Sequence, residues 1–160
     1  MHAKMRDTGR RTGHPTTAAS SLHRAMLCPD LTEDSLRQAG INRGKRVLDL
    51  GCGNGETSLL IARLVGPSGL VAGVDRSAEA IDLAQRRATT ALQSYWARFI
   101  VADPDTFVPP EPVDVIIVRL EQLRTSQIAA TFSRLLSSLR PEGIMVLVAG
   151  ERAPNQRPAP

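Results

Sequence analysis

The sequence predicts an α/β domain, a doubly wound parallel sheet of about five strands, and three observations predict it. The apolar run Val47-Leu48-Asp49-Leu50 stops at Gly51-Cys52-Gly53-Asn54-Gly55, and a helix-type stretch follows at once. Further short apolar runs alternate with helix-type stretches along the chain. Asp75 closes the second run, Leu70-Val71-Ala72-Gly73-Val74. Strands alternating with helices imply right-handed crossovers and a parallel sheet, with ligands at the carboxyl ends of the strands near the topological switch point.

Each element has a local cause. Thr32 is placed to cap a short helix, with Leu31 and Leu36 as its hydrophobic staple and Gly40 as its left-handed stop. The residues before it, Ser21 to Met26, read as a further helical turn. Asn42-Arg43-Gly44 turns the chain into the first strand, Val47 to Leu50. Glu56 to Val65 is apolar enough to pack on the sheet as a helix, and Gly66-Pro67-Ser68-Gly69 ends it. Ser77 can cap the next helix, with Glu79 and Asp82 near its positive end and Arg86 and Arg87 near its negative end. Arg98 to Val101 is the third strand, and Val113 to Val118 is a fourth, buried on both faces. Between these two lies a proline-rich loop. Thr125 or Ser126 is placed to cap a last helix carrying Ile128, Phe132, Leu135, Leu136 and Leu139, which Arg140-Pro141-Glu142-Gly143 ends. Ile144 to Val148 is the fifth strand.

Composition excludes several classes. A chain of 160 residues with 42% apolar content suits one domain. We expect residues 1–20 to be a flexible basic arm, 21–150 the ligand-binding domain, and 151–160 a disordered proline-rich tail. No run approaches the roughly 18 consecutive apolar residues of a membrane span, and the first residues lack the apolar core of a secretory signal. Two cysteines, Cys28 and Cys52, make no disulfide framework. A reducing, cytoplasmic setting is expected. The net charge of +4 has a terminal share in Lys4, Arg6, Arg10, Arg11, Arg152 and Arg157. With few aromatic residues to stack on bases, nucleic acid is the weaker partner expectation.

A strand running into Gly51-Cys52-Gly53-Asn54-Gly55 lets the backbone approach a ligand without side-chain obstruction. Asp75, at the end of the second strand, is placed to accept hydrogen bonds from two ribose hydroxyls. A dinucleotide fingerprint needs G-x-G-x-x-G, but Glu56 stands where the third glycine would be. That carboxylate opposes a pyrophosphate and suits a cationic, phosphate-free nucleoside. No Gly-Lys-Ser/Thr follows the loop, which disfavours phosphoryl transfer.

Val47 to Gly55, the Gly66-Pro67-Ser68-Gly69 turn, Val74-Asp75, Ala102-Asp103 and Leu139-Arg140-Pro141-Glu142-Gly143 resemble the successive motifs of class I S-adenosylmethionine-dependent methyltransferases, over about residues 31 to 149. The resemblance implies a Rossmann-like fold and S-adenosylmethionine as cofactor. Asp49, Gly51 and Gly53 would hold its amino-acid part, Asp75 its ribose and Asp103 its adenine amino group, with Cys52 and Arg76 as further cofactor-binding residues. Arg119 would lie where cofactor and acceptor meet. No catalytic residue and no metal ligand is assigned. Glu121 is the nearest candidate base, in competition with pairing to Arg124, and His23 is a second candidate from the amino-terminal segment.

The motif style resembles members acting on small metabolites, and the Asp/Asn-Pro-Pro-aromatic motif of amino-base methylation is replaced by Val118-Arg119-Leu120-Glu121. The family usually continues through another helix and an antiparallel strand pair, which Ala149 to Pro160, the residues after Val148, are not expected to form. This predicts a truncated class I fold whose fifth strand is an exposed apolar edge, covered by a homodimer mate or a partner chain. The leading expectation is a methyltransferase acting on a small-molecule acceptor. The alternative is a non-catalytic methyltransferase-like binding module.

Overall fold

The computed structural model describes residues 24–150. The expected arm at 1–20, His23 and the tail at 151–160 lie outside the described residues. Six strands form one sheet: β1 (Arg24–Cys28), β2 (Arg46–Leu50), β3 (Leu70–Asp75), β4 (Ala97–Val101), β5 (Val113–Arg119) and β6 (Leu139–Val148). Their order is β1-β6-β5-β2-β3-β4, and every neighbouring pair is parallel. Four helices cross over it: α1 (Glu33–Gln38), α2 (Glu56–Val65), α3 (Ala78–Thr90) and α4 (Ile128–Ser137).

The strand–helix alternation has its expected result, a Rossmann-like sheet wound in two directions. From β2 the chain steps outward through β3 to β4, then returns to β5 on the other side of β2 and steps on to β6. The switch point lies between β2 and β5. On one face α1, α2 and α3 bury Leu36, Ile61, Ala62, Val65 and Ala88 against Val47, Val71, Val115 and Ile117. On the other, Leu135 of α4 packs with Leu48, Leu50, Ile116, Val118 and Met145. Residues adjacent along β2 and β5 thus enter opposite cores, which is why these strands read as unbroken apolar runs.

Local signals held where side chains had partners within a few residues. Thr32 Oγ1 accepts from Ser35 N–H at 3.2 Å, and Ser35 Oγ accepts from Thr32 N–H at 2.9 Å, a reciprocal cap on α1. Ser77 Oγ accepts from Ala80 N–H at 3.1 Å at the start of α3. The α4 start differs: Thr125–Gln127 forms a 3₁₀ turn, and the helix begins at Ile128 without a side-chain cap. Leu139 and Arg140-Pro141-Glu142-Gly143 do not belong to the helix end. They belong to β6, where a register shift against β5 and a left-handed Glu142 (φ 64°) form a bulge.

The largest correction concerns Arg24–Met26, expected as a helical turn. These residues are part of β1, which pairs in parallel with β6 from Arg24 opposite Ile144 to Cys28 opposite Val148. The Ile144–Val148 edge is therefore covered by this chain's own strand. The expected exposed edge is absent, and with it the reason for a homodimer mate or partner chain to cover it.

Removing residues 1–28 would uncover β6 while leaving the crossover helices in place. We expect the shortened chain to self-associate with rising concentration in light scattering while the full chain does not. Equal behaviour of the two would show that β1 is dispensable as an edge cover.

Candidate functional site

β2 and β3 deliver the glycine loop and Asp75 to the same end of the sheet, because Asp49 pairs with Gly73 and Leu50 with Val74. Gly51 N–H and Cys52 N–H both donate to Val74 O, at 2.8 and 3.1 Å, stitching the turn to β3. Gly51 and Gly53 have φ of 79° and 53°, a region that L side chains enter at a cost. They differ in surroundings. A Cβ at Gly53 would meet nothing within 4 Å, so this glycine presents open backbone to the cleft. A Cβ at Gly51 would lie 2.5 Å from Gln122 Cγ, so the Gln122 side chain rests on that glycine.

Asp75 stands beside the open position. Its Oδ2 accepts from Gly53 N–H at 2.9 Å and its Oδ1 from Ser77 N–H at 2.9 Å. The carboxylate thereby fixes the loop and the start of α3 together. Each oxygen keeps a second lone pair for a hydroxyl donor.

Asp49 is fully buried and fully engaged. Ser58 Oγ donates to its Oδ2 at 2.6 Å, and Arg119 Nη1 donates to its Oδ1. Burial works against the Arg119 charge, but the Asp49 carboxylate more than offsets it and leaves the guanidinium pKa raised. Cys52 turns its thiol into the protein, near Gly73. Burial first, then the Asp49 and Asp75 carboxylates, pushes that thiol well above its ordinary range, which makes it a packing group and not a nucleophile.

Arg76 and Asp103 are brought together in a four-residue ion network. Arg76 Nη2 bonds Asp103 Oδ1 at 2.8 Å and Asp105 Oδ2 at 2.7 Å, while Nη1 donates to Gln122 O at 2.8 Å. Arg124 Nη1 lies 3.1 Å from Asp103 Oδ2, and its backbone N–H donates to Asp105 Oδ1 at 3.1 Å. Asp105 N–H, then the two guanidiniums, hold the Asp103 carboxyl below its usual range. Glu121 does not pair with Arg124; its Oε2 accepts from Gly150 N–H at 3.2 Å.

Three residues of this site were not singled out from the sequence: Ser58, Asp105 and Gln122. The Asp-Pro-Asp spacing at 103–105 was a visible signal for the second. Gln122 depends on contacts between segments distant in the chain, and Ser58, nine residues from Asp49, belongs to no motif that would single it out. Taken together, the open backbone of Gly53 beside a carboxylate with spare lone pairs fits a nucleoside with free ribose hydroxyls. At Gly51 the fit requires the Gln122 side chain to move.

A doubly wound sheet with a glycine loop and an acid at the switch point defines a nucleoside-binding α/β protein. The chain belongs to the methyltransferase-domain family, whose model matches residues 41–155, and it has the fold of the class I S-adenosylmethionine-dependent members. Over 84 residues it is 33% identical to a probable cobalt-precorrin-6B C(15)-methyltransferase of Thermoplasma acidophilum, covering 52% of this chain and 42% of that protein. Over 110 residues it is 33% identical to a protein-L-isoaspartate O-methyltransferase of Methanopyrus kandleri, covering 68% and 46%. The chain thus spans less than half the length of these two relatives. A methyltransferase from Thiobacillus denitrificans, solved with S-adenosyl-L-homocysteine, superposes with a TM-score of 0.60 at 28% identity, covering 81% of this chain and 51% of that one.

Two outcomes check this geometry. Gly51→Ala should cost about 1–2 kcal/mol from its left-handed φ, with a further loss from the Gln122 contact. Combining it with Gln122→Ala should recover only the contact part in urea unfolding. The second outcome concerns acid. Because the folded pKa of Asp103 is lowered, its stabilisation is present above the unfolded value of about 3.9 and is lost as pH falls through the folded value. Melting curves of the wild type and Asp103→Asn should differ at pH 7 and converge on acidification below about pH 4.

Proposed function

We propose that the chain binds S-adenosylmethionine and transfers its methyl group to a small-molecule acceptor, with residues 21–150 as the cofactor-binding unit. The observation that carries this reading is the Asp75 carboxylate bonded to Gly53 N–H beside the open face of that glycine. Asp75 accepts from the ribose hydroxyls, Arg76 and Asp103 flank the base end, and Gly51, Gly53 and the Arg119 that Asp49 holds take the amino-acid arm. Cys52 contributes only backbone. When bound, the cofactor supplies an electrophilic methyl on a sulfonium. The chain's own residues supply orientation, which for an in-line displacement can provide much of the rate.

A small acceptor is favoured by the motif style at Val118-Arg119-Leu120-Glu121, where amino-base methylation motifs are absent. Of the two relatives above, one is named for cobalt-precorrin-6B and the other for protein L-isoaspartate. A cytoplasmic setting is supported by two free, buried cysteines, and among the described residues no helix is long and apolar enough to cross a membrane.

Calorimetry with S-adenosylhomocysteine tests the reading, with Asp75→Ala as its control. The variant should bind about 1–3 kcal/mol more weakly. No heat with the wild type, or unchanged affinity in the variant, would overturn it. Binding without methyl transfer to any small-molecule panel would favour the non-catalytic alternative.

A further inference from the structure

Asp49 and Arg119 come from strands on the two sides of the switch point. In the β2–β5 register Asp49 faces Ile117, which puts Arg119 at the carboxyl end of β5, beside the loop that starts at Gly51. The carboxylate accepts from Ser58 Oγ at one oxygen and from Arg119 Nη1 at the other, and it has no exposed surface. A ligand could reach it only by breaking a buried ion pair, which leaves two uncompensated charges. Arg119 is in the opposite situation. A guanidinium carries five N–H donors, and Asp49 is its one hydrogen-bond partner among the described residues. Its side chain keeps 16% of its surface exposed.

The same pair is anchored to the amino end of α2. Ser58 lies in the first turn of that helix, which starts at Gly55 with no side-chain cap. Backbone N–H groups without intrahelical partners and the positive end of the helix dipole therefore adjoin the pair. Asp49 and Arg119 cancel in charge, and Glu56 in the first turn opposes the pull of the helix dipole on an anion, so the spare guanidinium donors are the feature that an anion can bind. Glu121 is engaged elsewhere, accepting from Gly150 N–H at 3.2 Å.

Resting on the cofactor reading above, we infer that Arg119 binds the carboxylate of the cofactor's amino-acid arm and that Asp49 touches no ligand but acts as a positioning residue, fixing the guanidinium through the Ser58-supported ion pair. This reverses the roles that the resemblance alone implies, where the strand-end acid itself holds the ligand. It also gives Ser58 a purpose that a surface-facing first-turn serine would lack.

The test compares S-adenosylhomocysteine with its decarboxylated analogue, in which hydrogen replaces the carboxylate. In the wild type the parent should bind about ten- to a hundredfold more tightly, the range for hydrogen bonds to a charged group. Arg119→Met should bring the parent to the analogue's affinity without changing the analogue. Arg119→Lys, which keeps the charge but not the fork, should retain part of the preference. Asp49→Asn should lower the ratio of the two affinities and leave the analogue's binding in place, which a simple loss of fold would not do. A preference that persists in Arg119→Met overturns the inference, as does equal wild-type affinity for the two ligands. If the wild type binds neither, the cofactor reading itself fails and takes this inference with it.

Discussion

Asp49 is a carboxylate without solvent contact at the end of a central strand, and a charge in that position must be paired or it destabilises the fold by several kcal/mol. Its two partners determine how the surrounding elements meet. Ser58 ties it to the first turn of α2, and Arg119 ties it to the end of β5. Between them the glycine loop is held in its left-handed turns, because its entry strand and its exit helix are fastened to one acid. The loop's other side is held by Asp75, which bonds both Gly53 and Ser77. Two carboxylates on adjacent strands thus define the shape of the cleft from opposite sides.

A second buried carboxylate organises the network of Arg76, Asp103 and Arg124. Asp105 has no exposed side-chain surface and collects Arg76 and the backbone N–H of Arg124. It also fixes the proline-rich segment between β4 and β5, since Thr131 Oγ1 of α4 donates to its carbonyl at 3.3 Å. With no helix in that segment, the crossover from β4 to β5 adds these polar bonds to the apolar packing of Ala102 and Phe107. Ion pairs of this kind fix position more than they add stability. Position is what a site at the strand ends needs.

The central strands and the loop were legible because their signals are local. A strand buried on both faces reads as an apolar run, a glycine loop follows it, and Ser77 or Thr32 caps a helix within three residues. β1 was not legible. Arg24-Ala25-Met26-Leu27-Cys28 is rich in helix formers, and only its pairing with β6, more than a hundred residues away, makes it a strand. The bulge at Pro141 to Gly143 carries turn residues inside a strand, so it reads as an ending. In the site, the positions of Asp49, Asp75 and Asp103 followed from the strand ends on which they stand. Their partners did not, because nothing in the order of residues tells which arginine meets which acid across 70 positions.

Those partners change what the site can do. Arg76 bonds two carboxylates and the carbonyl of Gln122, the residue whose side chain rests on Gly51. A ligand that draws on Asp103 competes with Arg76 and Arg124, and a ligand that lies on Gly51 displaces Gln122. Arg76 touches both places, so loosening its hold on the two carboxylates also loosens the Gln122 turn. One guanidinium thus ties the Asp103 and Asp105 carboxylates to the turn that covers Gly51, so neither contact is independent of the other.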